Sequence, residues 1–310
     1  MGVSWSTMLP GAGAEPAMPD GIKKISDRVY SLSEPKAGPP EIEIVFVHGL
    51  QFSDYKDAFW RTWIAGVKDE DGTEIFWPKA WLGDELPRAR ILSLSYDSSA
   101  WRTNKQGLMD AYVVGETLVQ EMVGMAKVGQ HKNCPVVFVA HSLGGLMVKE
   151  IVCKAQGKFR NDLKFQNFLQ NIGGFLFYAT PHDGAKLADT AAKVPNMGEM
   201  VRLLGVINKE LGRLNSQFKQ IAAEEFAGKW EFVVVAVTHV TEFYGISAMV
   251  VEEASARHGY KTFYSVSEDH FGVCKPKERT NTSYMALLQL LELVTVGKSL
   301  TLKSEMEDLR

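Results

Sequence analysis

The chain has 310 residues, of which 45% are hydrophobic and 23% are charged, and its formal net charge is −3 at pH 7. This composition provides ample apolar material for a globular core, and the balance of charge offers no basic surface for a nucleic-acid partner. The three cysteines, Cys134, Cys153 and Cys274, have no disulfide-framework or metal-ligand spacing, so no metal or cofactor is predicted. Scattered cysteines and the lack of a long apolar run favour an intracellular, cytoplasmic protein.

Residues 1–20 are rich in glycine, alanine and proline, and we expect them to be disordered before a single domain over 21–310. The first residues, "MGVSWS", lack a secretory signal pattern and match the loose myristoylation pattern through Gly2 and Ser6. That short pattern often matches by chance, and one acyl chain anchors a protein weakly. Acylation of Gly2 and peripheral membrane contact are therefore left open.

From residue 41 onwards, after a short edge strand, β-rich runs alternate with segments of helical apolar spacing. The predicted strands are "ISDRVYSL" (a short edge strand), "IEIVFV", "ARILSLSYD", "PVVFVAHS", "IGGFLFYATPH", "WEFVVVAVTH" and "KTFYSVSEDH". The predicted helices are "DYKDAFWRTWIAG", "LMDAYVVGETLVQEMVGMA", "GGLMVKEIVCKAQ", a stretch over about 187–226, and "SYMALLQLLELV".

Continuous Val, Ile and Phe runs are typical of strands covered on both faces, and intervening helices imply parallel crossovers. The fold class is therefore α/β, with a mostly parallel, doubly wound sheet. The helical segment over about 185–228 is longer than an ordinary crossover, and we interpret it as a lid-like insertion. Its apolar stripe, which includes Met197 and Met200, fits core packing as well as a binding surface for an acyl chain.

Ser142 lies between a predicted strand and a predicted helix, with Ala140 two residues before it and Gly144 two residues after it. A nucleophile elbow requires small residues at these two places, because the strained turn leaves no room for larger side chains. The alternative is that Ser142 only caps the following helix. The combination of strand, elbow and helix favours a nucleophilic serine.

A serine nucleophile needs a histidine base and an orienting acid, which in this type of fold follow in the order serine, acid, histidine. His270 ends the last predicted strand and is the predicted base. Glu242, just past the fifth core strand, is the first choice for the acid. Glu252 and Glu253 remain alternatives, although acidic residues are also common at the start of a helix.

The oxyanion hole requires two backbone N–H groups. Leu143 follows the nucleophile and is expected to provide one, and Leu50, in the loop after the first core strand, is expected to provide the other. Gln51 is an alternative donor and a candidate for substrate contact. His141 and His182 end the strands nearest to the nucleophile and are further candidates for substrate contact, although His141 also fits a structural role.

The stretches "FVHGL", "FVAHSLGGLMVKE", "FYATPHDGAKLAD" and "SVSEDHFGVCKP" together resemble the serine-active-site-containing protein family. The resemblance covers about residues 41–295 and implies an α/β-hydrolase fold that acts as a serine esterase or lipase. By motif it assigns the nucleophile to Ser142, the base to His270 and the acid to Glu242. The family is related to inositol deacylases and linked to phospholipid handling, mitochondria or membranes.

The sequence thus predicts a serine hydrolase that acts on a small-molecule or lipid ester. Two alternatives remain open at this point. A protein of this fold can bind a ligand or partner without catalysis, and the same triad can transfer an acyl group or cleave a thioester.

Overall fold

A computed structural model describes residues 18–49, 57–98, 107–182, 198–243, 246–248, 251, 253–257 and 259–295. For residues 107–111, 198–210, 242–243, 246–248 and 254–255, only the backbone is described. Gly2 and most of the predicted disordered N-terminus therefore lie outside the described residues. The same holds for most of the first half of the predicted insertion.

The centre of the structure is an eight-stranded sheet with the order β1-β2-β6-β3-β7-β8-β9-β12. Its strands are β1 (Lys23–Lys24), β2 (Val29–Ser33), β3 (Ile42–Val47), β6 (Ala89–Leu94), β7 (Val136–His141), β8 (Ile172–Tyr178), β9 (Glu231–Val237) and β12 (Thr262–Val266). The strands from β6 to β12 pair in parallel, whereas β1 and β2 pair antiparallel at one edge. The predicted α/β class with a mostly parallel sheet is confirmed.

Helices cover both faces of this sheet. They are α1 (Ala58–Arg61), α2 (Gly83–Glu85), α3 (Gly107–Val119), α4 (Gly144–Gly157), α5 (Leu163–Asn171), α6 (Gly198–Glu224), α7 (Glu253–Arg257) and α8 (Thr282–Thr295). Two short hairpins, β4 (Ile64–Lys68) with β5 (Glu74–Phe76) and β10 (Thr241–Phe243) with β11 (Ile246–Ala248), lie outside the central sheet.

Successive residues of each central strand enter two separate cores. Val45 and Val47 of β3 pack with α3, α4, α5 and α6 on one face, whereas Ile44 and Phe46 pack with α1 and α8 on the other. Because side chains alternate across a strand, a strand buried on both faces is apolar at nearly every position. This explains the continuous apolar runs of the sequence, and it leaves polar residues at the strand ends.

The predicted helix "DYKDAFWRTWIAG" is wrong in its second half. α1 ends at Arg61, and residues 64–68 form β4 instead. Gly66 lies against the C-terminal part of the chain, where an added Cβ would stand 3.0 Å from the carbonyl oxygen of Lys275. The following turn is built by Asp69, whose carboxylate accepts hydrogen bonds from the N–H groups of Asp71 and Thr73. Tertiary contact and turn chemistry thus override the local helical spacing.

The second half of the long helix α6 packs against the core and is not a free lid. Leu211, Leu214, Phe218 and Ile221 are buried in the same core as α4. Such an apolar stripe at intervals of three and four residues is typical of a helix that packs one face inward. From Leu211 onwards the helix is therefore part of the body of the protein, and a lid role for the preceding residues stays a prediction.

Candidate active site

Ser142 follows β7 directly, and its backbone turns sharply into α4. Its φ angle is +54°, in the left-handed region that side-chain-bearing residues rarely adopt. The N–H of Ser142 still donates to the carbonyl oxygen of Tyr178 on β8, at 2.9 Å, so the strand ladder continues up to this residue. A strained residue held between a strand and a helix is the geometry of a nucleophile elbow.

Small residues make this turn possible. An added Cβ on Gly144 would stand 2.5 Å from the carbonyl oxygen of His48 and closer still to that of Val47. An added Cβ on Gly145 would stand 2.9 Å from Cβ of Thr180 and closer to its other side-chain atoms. The glycines therefore let α4 begin directly against the ends of the neighbouring strands β3 and β8.

The hydroxyl of Ser142 faces His270. Its Oγ lies 2.9 Å from Nε2 of the imidazole, although 128 positions separate the two residues in the chain. No side chain caps the first turn of α4, whose capping position is occupied by Leu143. The Ser142 hydroxyl is thus bonded to an imidazole, and helix capping does not account for it.

His270 is buried, with 3% of its surface exposed. Burial, together with the neighbouring His141, lowers the pKa of His270 well below its ordinary value. Neutral imidazole is the form that can accept a proton from a hydroxyl group. Among the side chains that the structure describes, none is bonded to Nδ1 of His270. This nitrogen is where an orienting acid would bind.

Two side chains bind the backbone of His270. The N–H of His270 donates to Oγ1 of Thr241 at 3.0 Å, and the carbonyl oxygen of His270 lies 2.8 Å from Nε2 of His141. Burial lowers the pKa of His141 to about 4. Thr241 was not predicted from the sequence, although it directly precedes the predicted acid. Substrate contact by His141 stays a prediction.

The acid candidates fall into different parts of the chain. Glu242 is the central residue of β10, where its backbone pairs with Ser247 of β11, and its side chain is not described. Glu252 lies outside the described residues. Glu253 begins α7 with an exposed side chain, at a helix start where acidic residues are common. The carboxylate of Asp269 is bound locally, because it accepts hydrogen bonds from the N–H groups of Phe271 and Gly272.

The predicted oxyanion donors have unequal support. Leu143 directly precedes α4, and its N–H is bonded to no acceptor in the described part of the chain. Leu50 and Gln51 lie outside the described residues. The preceding Gly49 nevertheless approaches Ser142, because an added Cβ there would stand 2.6 Å from Cβ of Ser142. The chain just after β3 thus lies against Ser142.

His48 supports this loop through its own contacts. Its ring stacks on Tyr96, with 4.4 Å between ring centroids, and the Tyr96 hydroxyl donates to the His48 carbonyl oxygen at 2.6 Å. Nε2 of His48 accepts from the N–H of Tyr96, and Nδ1 lies 2.8 Å from the carbonyl oxygen of Gly49. Burial lowers the pKa of His48 to about 4, so the ring is neutral at pH 7.

A buried polar cluster links α4, α6 and the segment that follows β8. Nζ of Lys149 on α4 lies 2.7 Å from Nδ1 of His182 and 2.5 Å from Oδ1 of Asn215 on α6. Burial lowers the pKa of Lys149 well below its ordinary value. Sequence reasoning missed Lys149 and Asn215, because only the packing of α6 on α4 brings them together.

The remaining substrate-contact candidates are not tested by this geometry. His182 binds Lys149 and packs edge-on against Phe177, with 4.9 Å between ring centroids. Met197 lies outside the described residues, and Met200 is described only by its backbone, in α6. Within the described part of the chain, no cluster of His, Cys, Asp or Glu could hold a metal ion. No described helix combines the length and apolarity that a bilayer crossing requires.

Residues 43–210 match the model of the family described as "Putative serine esterase (DUF676)", which is more than half of the chain. The chain belongs to this serine esterase family. The predicted resemblance is thereby confirmed, and the sheet order and the elbow are those of an α/β-hydrolase fold. The matched segment contains Ser142, while His270 follows it in the chain.

Curated relatives extend the similarity beyond the serine esterase segment. Protein SERAC1 of Danio rerio is 30% identical over 292 residues, which cover 89% of this chain and 43% of that protein. Protein SERAC1 of Homo sapiens is 27% identical over 285 residues, which cover 87% of this chain and 42% of that protein. The chain thus spans less than half the length of these relatives.

Solved structures resemble this chain more remotely. The crystal structure of Bacillus licheniformis lipase BlEst2 has a TM-score of 0.45 and 17% identity, covering 84% of this chain and 97% of that one. The α/β-hydrolase MGS-MChE2, from a lagoon-sediment metagenome, has a TM-score of 0.47 and 11% identity, covering 91% and 100%. At such identities the similarity concerns the fold alone.

Proposed function

We propose that this chain is a serine hydrolase that cleaves a carboxylic ester through an acyl-enzyme on Ser142. His270 acts as the general base and Glu242 as the acid that orients it. The observation that carries the proposal is the distance of 2.9 Å between Oγ of Ser142 and Nε2 of His270, in a buried site. A serine hydroxyl is a weak nucleophile until an adjacent base removes its proton.

In the first step, Oγ of Ser142 attacks the ester carbonyl carbon while its proton passes to Nε2 of His270. The carbonyl oxygen becomes an oxyanion, which the N–H of Leu143 and a second N–H, from Leu50, would stabilise. Collapse of this intermediate breaks the bond to the alcohol oxygen, which takes the proton from His270. The alcohol leaves, and the acyl group remains on Ser142.

In the second step, water attacks the acyl-enzyme as His270 takes one of its protons. Collapse of the second tetrahedral intermediate breaks the bond to Oγ of Ser142, which takes the proton back from His270, and the carboxylic acid leaves. His270 becomes a cation twice in each turnover, and a buried cation needs a partner. A carboxylate at Nδ1 would provide that partner and fix the proton on Nδ1 in the resting state.

Glu242 is our choice for this carboxylate. Thr241, its neighbour in the chain, lies in contact with His270, so the start of β10 adjoins the base. Glu253 has an exposed side chain at the start of a helix, and Asp269 binds two N–H groups of its own turn. Both therefore fit local structural roles better than a place beside a buried imidazole.

For the substrate, we propose an ester with an apolar acyl group, such as a lipid. The second half of α6 buries its apolar face in the core. If residues 185–210 continue this face, as Met197 and Met200 suggest, they would provide an apolar wall for an acyl chain. The reaction on Ser142 does not depend on this choice of acyl group.

The proposal is tested with an active-site-directed fluorophosphonate and a panel of esters of varied acyl length and headgroup. Wild type should be labelled and active, whereas Ser142→Ala should show neither property. Removal of the nucleophile should reduce kcat by several powers of ten. Absence of labelling in folded wild type, or equal labelling of Ser142→Ala, would contradict the proposal.

The same panel separates the alternatives. A matched thioester shows whether the acyl-enzyme forms from a thioester faster than from the oxygen ester. Thermal stabilisation by a panel member, without turnover and without labelling of Ser142, would indicate a ligand-binding protein instead of an enzyme.

A further inference from the structure

The backbone of His270 lies beyond the last strand, outside the backbone hydrogen bonds that pair the sheet. β12 ends at Val266, so His270 stands four residues beyond the last strand pairing. A buried residue must nevertheless satisfy its backbone N–H and carbonyl groups, because an unpaired one costs free energy. In His270 both groups bind side chains: Thr241 accepts from the N–H at 3.0 Å, and His141 contacts the carbonyl oxygen at 2.8 Å.

We propose that His141 and Thr241 are positioning residues that set the place of the His270 imidazole from its two backbone ends. This inference rests on the proposed function of His270 as the base. His141 and Thr241 belong to different elements, the end of β7 and the start of β10. His141 thus connects the proposed base to β7, the strand that precedes Ser142. Thr241 connects it to β10, the strand of the proposed acid.

The His141 contact also determines where its proton lies. A carbonyl oxygen only accepts hydrogen bonds, so Nε2 of His141 must carry the proton and donate it. His141 is buried, and burial lowers its pKa to about 4, which keeps the ring neutral at pH 7. Its ring centroid is 5.0 Å from that of His270, where a cation would oppose protonation of the base. A neutral donor is therefore the form that suits this position.

His141 and Ser142 are adjacent in the chain, which ties the geometry of base and nucleophile together. One residue binds the His270 carbonyl oxygen and the next binds its imidazole. A shift of the base by about 1 Å can reduce a catalytic rate by about a hundredfold. Loss of either backbone bond should therefore slow acylation more than it weakens substrate binding.

The test compares pairs of variants that remove or keep each hydrogen bond. His141→Leu removes the donor, and His141→Gln keeps an N–H at similar reach. Thr241→Val removes the acceptor at nearly the same size, and Thr241→Ser keeps the hydroxyl. Thr238→Val is the matched control, because the hydroxyl of Thr238, just after β9, donates to the carbonyl oxygen of Val266 at the end of β12. The hydrogen bonds described for His270 go to His141, Thr241 and Ser142 instead.

The measurements are the second-order rate of fluorophosphonate labelling, kcat and KM on one ester, and the thermal unfolding temperature. His141→Leu and Thr241→Val should label roughly ten to a hundred times more slowly, with KM nearly unchanged. His141→Gln and Thr241→Ser should recover most of the rate, and Thr238→Val should label like wild type. All rates are expressed per folded, soluble protein.

The outcomes separate this inference from the proposed function. If wild type labels at Ser142 but the removing variants label at the wild-type rate, the positioning role is contradicted and the proposed function stands. Equal loss in the removing and keeping variants would also contradict it, because that pattern indicates a packing role. If folded wild type does not label at all, the proposed function fails and this inference fails with it.

Discussion

Gly144 lies directly against the backbone of His48. A Cβ on Gly144 would stand 2.5 Å from the His48 carbonyl oxygen, a separation that real Cβ atoms essentially never show. This oxygen belongs to the backbone at the end of β3, so it cannot move away as the tip of a long side chain could. The closeness of the two residues brings the first turn of α4 against the end of the neighbouring strand β3.

We therefore expect Gly144→Ala to destabilise the protein by about 3 kcal/mol or more, because overpacking against backbone is costly. Gly157→Ala, in the last turn of the same helix, is the matched control. A Cβ there meets nothing within 4 Å, so it should stabilise by up to about 1 kcal/mol through helix propensity. Urea denaturation measures both values. Similar stabilities of the two variants would show that the elbow can relax.

The positive φ angle of Ser142 predicts an unusual order of stability among its variants. Ser142→Gly should be more stable than Ser142→Ala by about 1 kcal/mol, because glycine adopts φ of +54° without strain. Ser216, exposed within α6, is the control, since alanine should there be about 1 kcal/mol more stable than glycine. Chemical denaturation of the four variants tests this reversal. An order at position 142 that matches position 216 would contradict the strain.

The proposed acid predicts a change in the pH profile. Glu242→Gln should lower kcat/KM by about a thousandfold to ten-thousandfold, as expected when the base loses its orienting carboxylate. The acidic limb should also move to lower pH. Burial and His141 already lower the pKa of His270, and removal of a nearby anion lowers it further. The control is Glu253→Gln, whose exposed position predicts a wild-type profile. If Glu253→Gln shows the loss instead, the acid is misassigned.

Buried Lys149 predicts a pH dependence of stability. Its folded-state pKa lies well below that of the unfolded chain, so unfolding takes up a proton between the two values. The free energy of unfolding should therefore rise with pH towards the ordinary lysine pKa, and fall as the pH is lowered.

Lys149→Met removes this dependence and should have a shallower slope of stability against pH between about pH 7 and pH 10. It also removes the contacts of Lys149 with Nδ1 of His182 and with Oδ1 of Asn215, at a pH-independent cost of about 1–3 kcal/mol for each. Exposed Lys132→Met provides the control and should keep the wild-type slope. Parallel slopes for wild type and Lys149→Met would contradict a depressed lysine pKa.

Much of the architecture follows from local patterns. Both faces of the central strands are buried, so β3, β7 and β8 appear in the sequence as apolar runs, with polar residues confined to their ends. Parallel strands bring those ends to one edge of the sheet, which is why the sequence alone could pair Ser142 with His270. β10 begins just after the end of β9, so the same rule brings Thr241 close to His270.

Other features depend on contacts between distant segments. Residues 64–68 have helical spacing, yet they pair with β5 because Gly66 must fit against the backbone near Lys275. The cluster of Lys149, His182 and Asn215 forms only once α6 lies on α4.

The amino-acid sequence by itself determined the α/β class and the sharp turn at Ser142, because these follow from periodicity and residue size along the chain. The tertiary structure alone decided which side chains bind the backbone of His270. The hydrogen bonds that join His270 to His141 and Thr241 act over a few ångströms between residues 129 and 29 positions apart in the chain. Local sequence patterns carry no information on such long-range contacts.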